Sequence, residues 1–522
     1  MQPDAIAGTI PAVISRVESF ALQGIDAVGC EIEVDLSPVG LPKQTIVGLP
    51  DAAVRESIER VRTSILNTGY RFPQSRMVIN LAPADMKKEG PVYDLPIALA
   101  VLMADRTLTA TSHDDGGVSD CLMAGELSLD GRIRPVRGVI SMAMFARRTG
   151  RRAVFVPQDN AAEASTVEGL TVYGVSTLAE LVAHFNGSQP ITPTPHATVD
   201  GLLEATDAVL DFADVRGQEA AKRAMTIAAA GAHNILMLGP AGTGKTMMAK
   251  ALPGVLPPMS REEALEVTRI YSSIGEVPRG APLITRRPVR SPHHTASSPA
   301  IVGGGTIPRP GEVSLAHHGV LFLDELPEFT RNVLETLREP LEDGAITIAR
   351  SHGSVRFPSR FMLVAALNPT PRGDMARDEP SQRAMEKYLS RISGPLVDRI
   401  DIHVEVPAVP FRQLTTDRRG TSSAEIRERV CRARERQAAR NPGRALNASL
   451  GSRVLDRVAK LDERTTAHLA SAMNEFGLSA RAYDKIRRVA RTIADLDDRE
   501  EVGESHIFEA VQYRLLDRLL NH

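Results

Sequence analysis

A glycine-rich motif constrains the fold of this chain more than any other feature of its sequence. The residues match the pattern GxxxxGK[ST] and are Gly239, Pro240, Ala241, Gly242, Thr243, Gly244, Lys245 and Thr246. An apolar run predicted as a strand precedes them, and a helix-prone run follows. In this setting the glycines let backbone N–H groups surround a phosphate, the lysine reaches the β- and γ-phosphates, and the threonine hydroxyl holds Mg²⁺. The motif therefore predicts an α/β domain that binds ATP and Mg²⁺.

A second apolar strand, predicted at 319–323, ends in the carboxylates of Asp324 and Glu325. Charges at the end of a buried strand are unfavourable unless they meet a cation or solvent. Asp324 is suited to holding Mg²⁺, and Glu325 is suited to polarising an attacking water molecule as a general base. The alternative is an ordinary strand with a solvated acidic end, which the phosphate motif makes the less favoured interpretation.

Further polar residues lie where apolar segments end. Asn368 closes a predicted strand and can position water or contact the γ-phosphate, although an asparagine before a proline also forms turns. Arg399 follows an apolar helix end, where a guanidinium from a neighbouring subunit can stabilise transition-state charge. Arg391 is the rival for that role, and a surface salt bridge is the alternative. Arg481 opens an amphipathic helix and either contacts the γ-phosphate or belongs to a solvated basic face.

With 522 residues, the chain has room for about three domains. The predicted divisions are an α/β unit at 1–185, a linker rich in Pro, Thr and Ser at 186–210, a phosphate-binding unit at 211–409 and an arginine-rich helical region at 410–522. The net charge of −2 gives no global attraction to nucleic acid, so a DNA partner requires a local basic patch. The 3 cysteines are far apart, and neither a signal peptide nor a membrane-spanning run is recognised. We therefore expect a cytoplasmic protein with no membrane partner.

Two arginine-rich stretches that contain no Asp or Glu lie near these motifs. The first, 281–311, contains Arg286, Arg287, Arg290 and Arg309, and the second, 344–373, contains Arg350, Arg356, Arg360 and Arg372. The second also carries a hairpin pattern. Because aromatic residues make up only 4% of the chain, we expect these loops to contact DNA phosphates without reading sequence. A solvated or subunit-facing basic surface is the alternative. His293 and His294 are adjacent, which is a poor arrangement for binding one metal ion. We therefore expect a role in a loop and not a metal site.

The order of the motifs resembles that of AAA+ ATPases. The segments DVRGQEAAKRAMTIAAAGAHNILMLGPAGTGKT and RPVRSPHHTASSPAIVGGG are similar to the magnesium-chelatase-like group, and the full chain resembles its ComM/YifB family of competence proteins. The resemblance implies a homohexamer with ATP at subunit interfaces. It also implies a DNA helicase that drives branch migration on single-stranded or branched DNA in recombination and natural transformation. By motif, it makes Asp324 and Glu325 the Walker B pair, Asn368 the first sensor, Arg399 the arginine finger, and Arg481 the second sensor on a helical lid.

The N-terminal unit resembles the proteolytic domain of Lon, an α+β fold, through the stretches at 87–102 and 125–140. Proteases of that family place a serine and a lysine where this chain has Val92 and Ile140, and neither side chain attacks a carbonyl or accepts a proton. The resemblance therefore implies a Lon-like domain without proteolysis, used in assembly or DNA handling. Two other functions stay open: a chelatase-type ATPase that remodels a protein partner and, less favoured without the dyad, a subunit of an ATP-dependent protease.

Overall fold

The computed structural model describes residues 13–37, 41–108, 117–199, 202–203, 210–350, 353–370, 379–410 and 420–514. The chain divides into two compact units. One comprises Met1–Leu202 and Ala264–Ile284, and the other comprises Leu203–Glu263 and Thr285–His522. Among the described residues, no helix combines the length and the apolar character that a bilayer crossing requires.

The first unit is built on a seven-stranded mixed sheet with the order β3-β4-β2-β1-β5-β8-β9. Its strands are β1 (Val13–Gln23), β2 (Asp26–Ser37), β3 (Gln44–Val47), β4 (Arg76–Ala82), β5 (Cys121–Met123), β8 (Ala153–Pro157) and β9 (Thr171–Val175), and a separate ribbon pairs β6 (Glu126–Leu127) with β7 (Ile133–Arg134). Its helices are α1 (Ala52–Asn67), α2 (Asp94–Ala104), α3 (Val139–Arg148), α4 (Gln158–Ala164) and α5 (Leu178–Phe185).

Local sequence explains why α1 and α2 form where they do. Apolar residues recur at helical spacing between 54 and 65, which predicts a helix over 52–68, and α1 confirms it. The carboxylate of Asp51 caps this helix by accepting a hydrogen bond from the backbone N–H of Val54 at 2.8 Å. Helix α2 is almost wholly apolar and buried, as expected of a helix that is covered on all sides. Its one acid, Asp94, is fully buried and accepts a hydrogen bond from Arg60 Nε at 2.7 Å.

The division into units departs from the predicted boundaries at helix α8 (Arg261–Ile274), most of which belongs to the first unit. The reason is a buried carboxylate. Glu163 accepts hydrogen bonds from the Ser272 hydroxyl and from the Ile140 backbone N–H, the latter at 3.1 Å, and Gly138 N–H donates to Ser272 O at 3.0 Å. Burial raises the pKa of Glu163, and these hydrogen bonds oppose that shift. The segment predicted as one phosphate-binding unit is therefore interrupted at Ala264–Ile284.

Part of the predicted linker also packs on the first unit. The backbone N–H of Thr194 donates to Val172 O at 2.7 Å, and that of Ala197 donates to Ser165 O at 3.2 Å. Residues 200–201 and 204–209 of the linker lie outside the described residues.

The second unit contains a five-stranded parallel sheet with the order β11-β14-β17-β10-β18. The strands of this unit are β10 (Ile235–Leu238), β11 (Val289–Arg290), β12 (Gly303–Gly304), β13 (Arg309–Pro310), β14 (Val320–Leu323), β15 (Ala345–Arg350), β16 (Gly353–Pro358), β17 (Met362–Leu367) and β18 (Ile402–Glu405). Of these, β12 pairs with β13 and β15 pairs with β16 as antiparallel ribbons, the second of which confirms the predicted hairpin.

The helices of the second unit include the C-terminal ones. They are α6 (Glu219–Gly231), α7 (Lys245–Ala251), α9 (Ser298–Val302), α10 (Glu312–Leu315), α11 (Arg331–Thr336), α12 (Arg338–Asp343), α13 (Glu379–Leu389), α14 (Gly394–Val397), α15 (Ser423–Arg440), α16 (Ser452–Val458), α17 (Glu463–Phe476), α18 (Ala480–Leu496) and α19 (Glu504–Gln512). Side chains of α6, the sheet and helices α15 to α19 share one apolar core. The described part of the predicted helical region, 420–514, therefore shares the core of the phosphate-binding unit.

Gly48, which follows β3, lies close to the backbone of the neighbouring strand β4. Its φ is +99°, and an added Cβ would lie 2.1 Å from the backbone oxygen of Leu81. Gly69 has a φ of +86° but open space around its Cβ position. We expect Gly48→Ala to lower the free energy of unfolding by about 3 kcal/mol, and the control Gly69→Ala to lower it by about 1 kcal/mol. Urea unfolding followed by circular dichroism measures both, and equal losses would contradict the close approach.

Candidate nucleotide-binding site

The site lies where three neighbouring parallel strands end. Strand β17 lies between β10 and β14, so the carboxyl ends of all three meet at one edge of the sheet. The glycine-rich motif follows β10, Asp324 follows β14, and Asn368 follows β17. Ligands bind at this edge in open parallel sheets, because loops and side chains converge there.

Glycines shape the phosphate motif for two different reasons. Gly242 and Gly244 have φ angles of +77° and +93°, and nothing lies within 4 Å of their Cβ positions, so the backbone conformation is what requires glycine there. At Gly239, an added Cβ would lie 2.1 Å from Val406 O, so space is the constraint. Thr243 closes the loop by donating its hydroxyl proton to Pro240 O at 3.0 Å.

Lys245 is buried, and oxygen atoms surround its ammonium. Nζ donates to the backbone oxygens of Gly239 and Pro240, each at 2.7 Å, and to Asn368 Oδ1 at 3.1 Å. Burial lowers the pKa of Lys245, and the carboxylate of Asp324 opposes that shift. These contacts join the phosphate motif to the predicted sensor asparagine, and they hold a cation at the centre of the site.

The side chains of Thr246 and Asp324, the two predicted Mg²⁺ ligands, lie in contact with each other. The hydroxyl of Thr246 donates to Asp324 Oδ2 at 2.8 Å. A hydroxyl and a carboxylate this close are suited to hold one Mg²⁺ through oxygen. The residues predicted to hold the metal are therefore brought together by the structure.

Glu325 has an unusual backbone and a histidine neighbour. Its φ of +50° is in the left-handed region, which is uncommon for a residue with a side chain and is concentrated at functional sites. Its Oε2 lies 3.3 Å from Nδ1 of His294, and its side chain is 50% exposed. An exposed carboxylate at this edge is free to meet water.

His294 is the site residue that sequence reasoning missed. The prediction that the adjacent histidines have a loop role gave no hint that one of them meets the end of β14. His293 instead lies 2.9 Å from the Thr295 hydroxyl through its Nδ1. The only available signal was an unusual pair of histidines in an acid-free loop.

Arg399 and Arg481 lie together at the other edge of the sheet. Arg399 precedes β18, which runs parallel to β10, so it is at the amino-end edge, opposite to the phosphate motif. Its guanidinium pairs with Glu342 and donates to Pro395 O at 2.6 Å. Arg481 Nη1 lies 3.7 Å from Asp398 Oδ2, in the same segment. The structure therefore brings the two predicted arginines to each other, at a distance from the phosphate motif of their own chain.

Arg391, the rival for the finger role, is the more exposed of the two candidates. Its Nη1 lies 3.3 Å from Glu328 Oε2, with 55% of the side chain exposed. The corresponding exposure of Arg399 is 10%.

The arginines of the two basic stretches differ in their availability. Arg287 is buried, donates to Pro257 O at 2.7 Å and pairs with Glu263. Arg290 donates to the carboxylate of Glu312 from Nε at 2.6 Å and from Nη2 at 2.8 Å. The structure gives no support to DNA contact by these two arginines, because Glu263 and Glu312, which lie outside the stretch 281–311, neutralise them. Exposed arginines in the two stretches are Arg286, Arg309, Arg350, Arg356 and Arg360. Arg372 lies outside the described residues.

The positions aligned with a protease dyad are structural. Val92 lies in the short helical turn Pro91–Tyr93, and Ile140 is fully buried in α3. The nearby buried Lys88 donates to the backbone oxygens of Pro83 and Met86, the latter at 2.8 Å. That ammonium is occupied by the backbone.

Comparisons with known proteins match three parts of the chain. The family described as magnesium chelatase, subunit ChlI, matches residues 211–414, the family described as subunit ChlI of Mg-chelatase matches 32–160, and the family described as magnesium chelatase, subunit ChlI C-terminal, matches 420–514. The chain is 44% identical to the competence protein ComM of Haemophilus influenzae, over 97% of this chain and 98% of that protein. It is 44% identical to the uncharacterized protein YifB of Escherichia coli, over 98% of both chains. A magnesium-chelatase 38 kDa subunit of Rhodobacter capsulatus is 25% identical over 60% of this chain and 89% of that subunit.

Proposed function

The chain belongs to the magnesium-chelatase-like ComM/YifB family, and from this premise we propose that it is an AAA+ ATPase that uses ATP hydrolysis to move DNA. One observation carries the ATPase part. A buried lysine, a Thr246–Asp324 pair and the sensor Asn368 converge with Glu325 at the carboxyl ends of adjacent parallel strands.

The residues fit ATP and Mg²⁺ as ligands. Lys245 would exchange the carbonyls of its own loop for β- and γ-phosphate oxygens, which bind an ammonium more strongly because they are charged. Thr246 and Asp324 would hold Mg²⁺, which when bound neutralises charge on the phosphates. Glu325 would orient and deprotonate the attacking water, and Asn368 would hold that water or the γ-phosphate in line.

The two sheet edges support a ring. Arg399 and Arg481 lie at the edge opposite to Lys245, which supports a role on a nucleotide held by a neighbouring copy rather than on the nucleotide of their own chain. Such a guanidinium can contribute 10³–10⁵ in turnover in the best cases, by order of magnitude. A homohexamer, as the family resemblance implies, provides one such interface for each site.

Exposed arginines support DNA as the substrate. Arg350 Nε donates to Gly305 O at 3.1 Å, which ties hairpin β15–β16 to the first basic stretch and makes one surface of both. Arg356 is exposed on the same hairpin, opposite Thr347. Such a surface meets phosphates without reading bases. The specific task that we propose, branch migration on single-stranded or branched DNA, is the one that the family resemblance implies, and the relative ComM is described as a competence protein.

The alternative is a chelatase-type ATPase that remodels a protein partner. All three matched families carry magnesium-chelatase descriptions, which favours it. Against it, the chelatase subunit from Rhodobacter capsulatus aligns with 60% of this chain, whereas the ComM relative aligns with 97%. DNA-stimulated ATPase activity would separate the two functions.

The chemistry is tested by separating binding from turnover. Lys245→Ala should weaken ATP binding by at least about tenfold, because the phosphate charge is unmatched. Glu325→Gln should bind ATP normally and hydrolyse it roughly 10²–10⁴ times more slowly. Binding of a fluorescent ATP analogue and release of phosphate measure the two effects, and equally weakened binding in both variants would contradict the assigned roles.

The ring is tested by mixing two inactive variants. Arg399→Ala keeps its own phosphate motif, and Lys245→Ala keeps its own arginines. A mixture should recover part of the wild-type ATPase activity, because some interfaces then pair an intact motif with an intact arginine. Activity no higher than the sum of the separate variants would contradict action between subunits.

The DNA surface is tested by charge removal. Arg350→Ala with Arg356→Ala should weaken DNA binding and reduce the slope of log K against log salt by about 0.9 for each duplex phosphate that the variant no longer neutralises. Basal ATPase activity should persist. Arg464→Ala is the matched control, since this arginine is 76% exposed but lies on α17, outside both stretches. The DNA proposal fails if wild-type protein binds no DNA at low salt and its turnover ignores forked and four-way DNA.

A further inference from the structure

A buried cluster of polar side chains lies in the segments that carry Arg399 and Arg481, at the amino-end edge of the sheet. Lys485 Nζ is 3.1 Å from Asp401 Oδ1, and His233 Nδ1 is 3.2 Å from Asp401 Oδ2. His233 Nε2 is in turn 2.8 Å from the hydroxyl of Thr492. Lys485 and Thr492 are on the lid helix α18, whereas His233 precedes the strand that leads into the phosphate motif. We call these four residues the polar joint.

The charges of the polar joint are well matched. Burial raises the pKa of Asp401, but the Lys485 ammonium and His233 outweigh it and hold that pKa far below its usual range. An ionised carboxylate only accepts hydrogen bonds, and each of the two oxygens of Asp401 has a nitrogen-bearing side chain beside it. Burial lowers the pKa of Lys485, and Asp401 opposes the shift.

A buried ion pair of this kind is weak evidence for stability, because apolar side chains of similar volume often stabilise a fold as well or better. Its best-attested use is to fix one arrangement of the parts that it joins. The polar joint is therefore expected to fix the segments that it connects.

The segments that the polar joint connects carry the two arginines. Asp401 is two residues after Arg399, and Lys485 is four residues, about one helical turn, after Arg481. The backbone of the same segment is also held, since Asp401 N–H and Ile402 N–H each donate to Asn234 O at 3.0 Å. The ion pair thus connects the strand end that carries Arg399 to the helix turn that carries Arg481.

We propose that the polar joint is a positioning device that fixes Arg399 and Arg481 as one unit aimed at the nucleotide of the neighbouring subunit. This inference rests on the proposed function. Under this proposal the four joint residues are positioning residues, which act through the arginines and not on the nucleotide itself. Loosening the joint in one subunit therefore impairs hydrolysis in the next subunit and leaves nucleotide binding in its own unchanged.

The test uses subunits that can only donate arginines. Arg399→Ala protein supplies intact phosphate motifs. It is mixed with Lys245→Ala protein, whose arginines serve those motifs, and the rescued ATPase activity is the reference. The donor is then replaced by one that also carries Asp401→Asn and Lys485→Met, which removes both charges at nearly constant volume. We expect the rescue to fall at least tenfold.

A matched control comes from the same helix. Arg487 is buried on α18, where it pairs with Asp456 of α16 at 2.9 Å and donates to Ala459 O at 3.3 Å, away from the segment at 398–402. A Lys245→Ala donor that also carries Arg487→Met should rescue as well as the Lys245→Ala parent. In addition, the joint variant with Lys245 intact should bind one ATP per chain like wild type and show a reduced kcat. Full binding stoichiometry distinguishes this result from a general loss of structure, which would lower the fraction of chains that bind ATP together with kcat.

The results of this experiment distinguish a failure of the polar joint from a failure of the ring. Equal rescue by the joint donor and the parent donor overturns the polar joint and leaves the ring intact. No rescue by the parent overturns the ring proposal and the joint with it. If the double variant does not assemble, Thr492→Val removes the hydroxyl that lies beside His233 and that also accepts a hydrogen bond from Asn447 at 3.1 Å. This variant should lower the rescue about threefold, and full rescue by that donor overturns the proposal.

Discussion

The order of the five parallel strands in the second unit is the constraint on which the candidate site depends. It sets β17 between β10 and β14, and thereby gathers a phosphate loop, a pair of carboxylates and an asparagine from three distant parts of the sequence. The Lys245 ammonium joins two of these strand ends, since it donates to its own loop and to Asn368. Thr246 joins the third through Asp324. With a different strand order, each motif would keep its sequence, but the residues of the site would not come together.

The buried carboxylates of Glu163, Asp94 and Asp401 lie where distant segments meet, and hydrogen-bond donors contact each of them. Glu163 receives donors from α3 and from the segment Ala264–Ile284. Asp94 receives Arg60, and Asp401 receives Lys485 and His233. Removing one partner would leave an uncompensated charge in an apolar environment, so these pairs constrain which segments can meet. Such pairs account for features that apolar packing alone leaves open, such as the interruption of the phosphate-binding unit.

The two edges of the sheet carry the two halves of the proposed reaction. Nucleotide ligands and the proposed base are at the carboxyl ends of the strands, whereas Arg399 and Arg481 are at the amino ends. Under the proposed function, a single chain therefore holds one half of two different sites, and hydrolysis requires that copies meet. The exposed basic hairpin adds a third surface, and its Arg350 contact with Gly305 shows that it is built together with the first basic stretch.

The sequence alone determined the features that depend on neighbouring residues. The glycines of the phosphate loop, the apolar strands with their terminal Asp324, Glu325 and Asn368, the capped helix α1 and the β15–β16 hairpin follow from local spacing and conformational preference, and the structure has them where the sequence predicts them. Contacts between residues that are distant in the sequence could be identified only from the tertiary structure. His294 meets Glu325, Glu263 and Glu312 neutralise Arg287 and Arg290, and Arg481 meets Asp398. The physical reason is that a charge in a sequence pattern has no fixed partner. Which charge it meets depends on the register and order of strands far away in the chain, and those are set by packing of the whole unit.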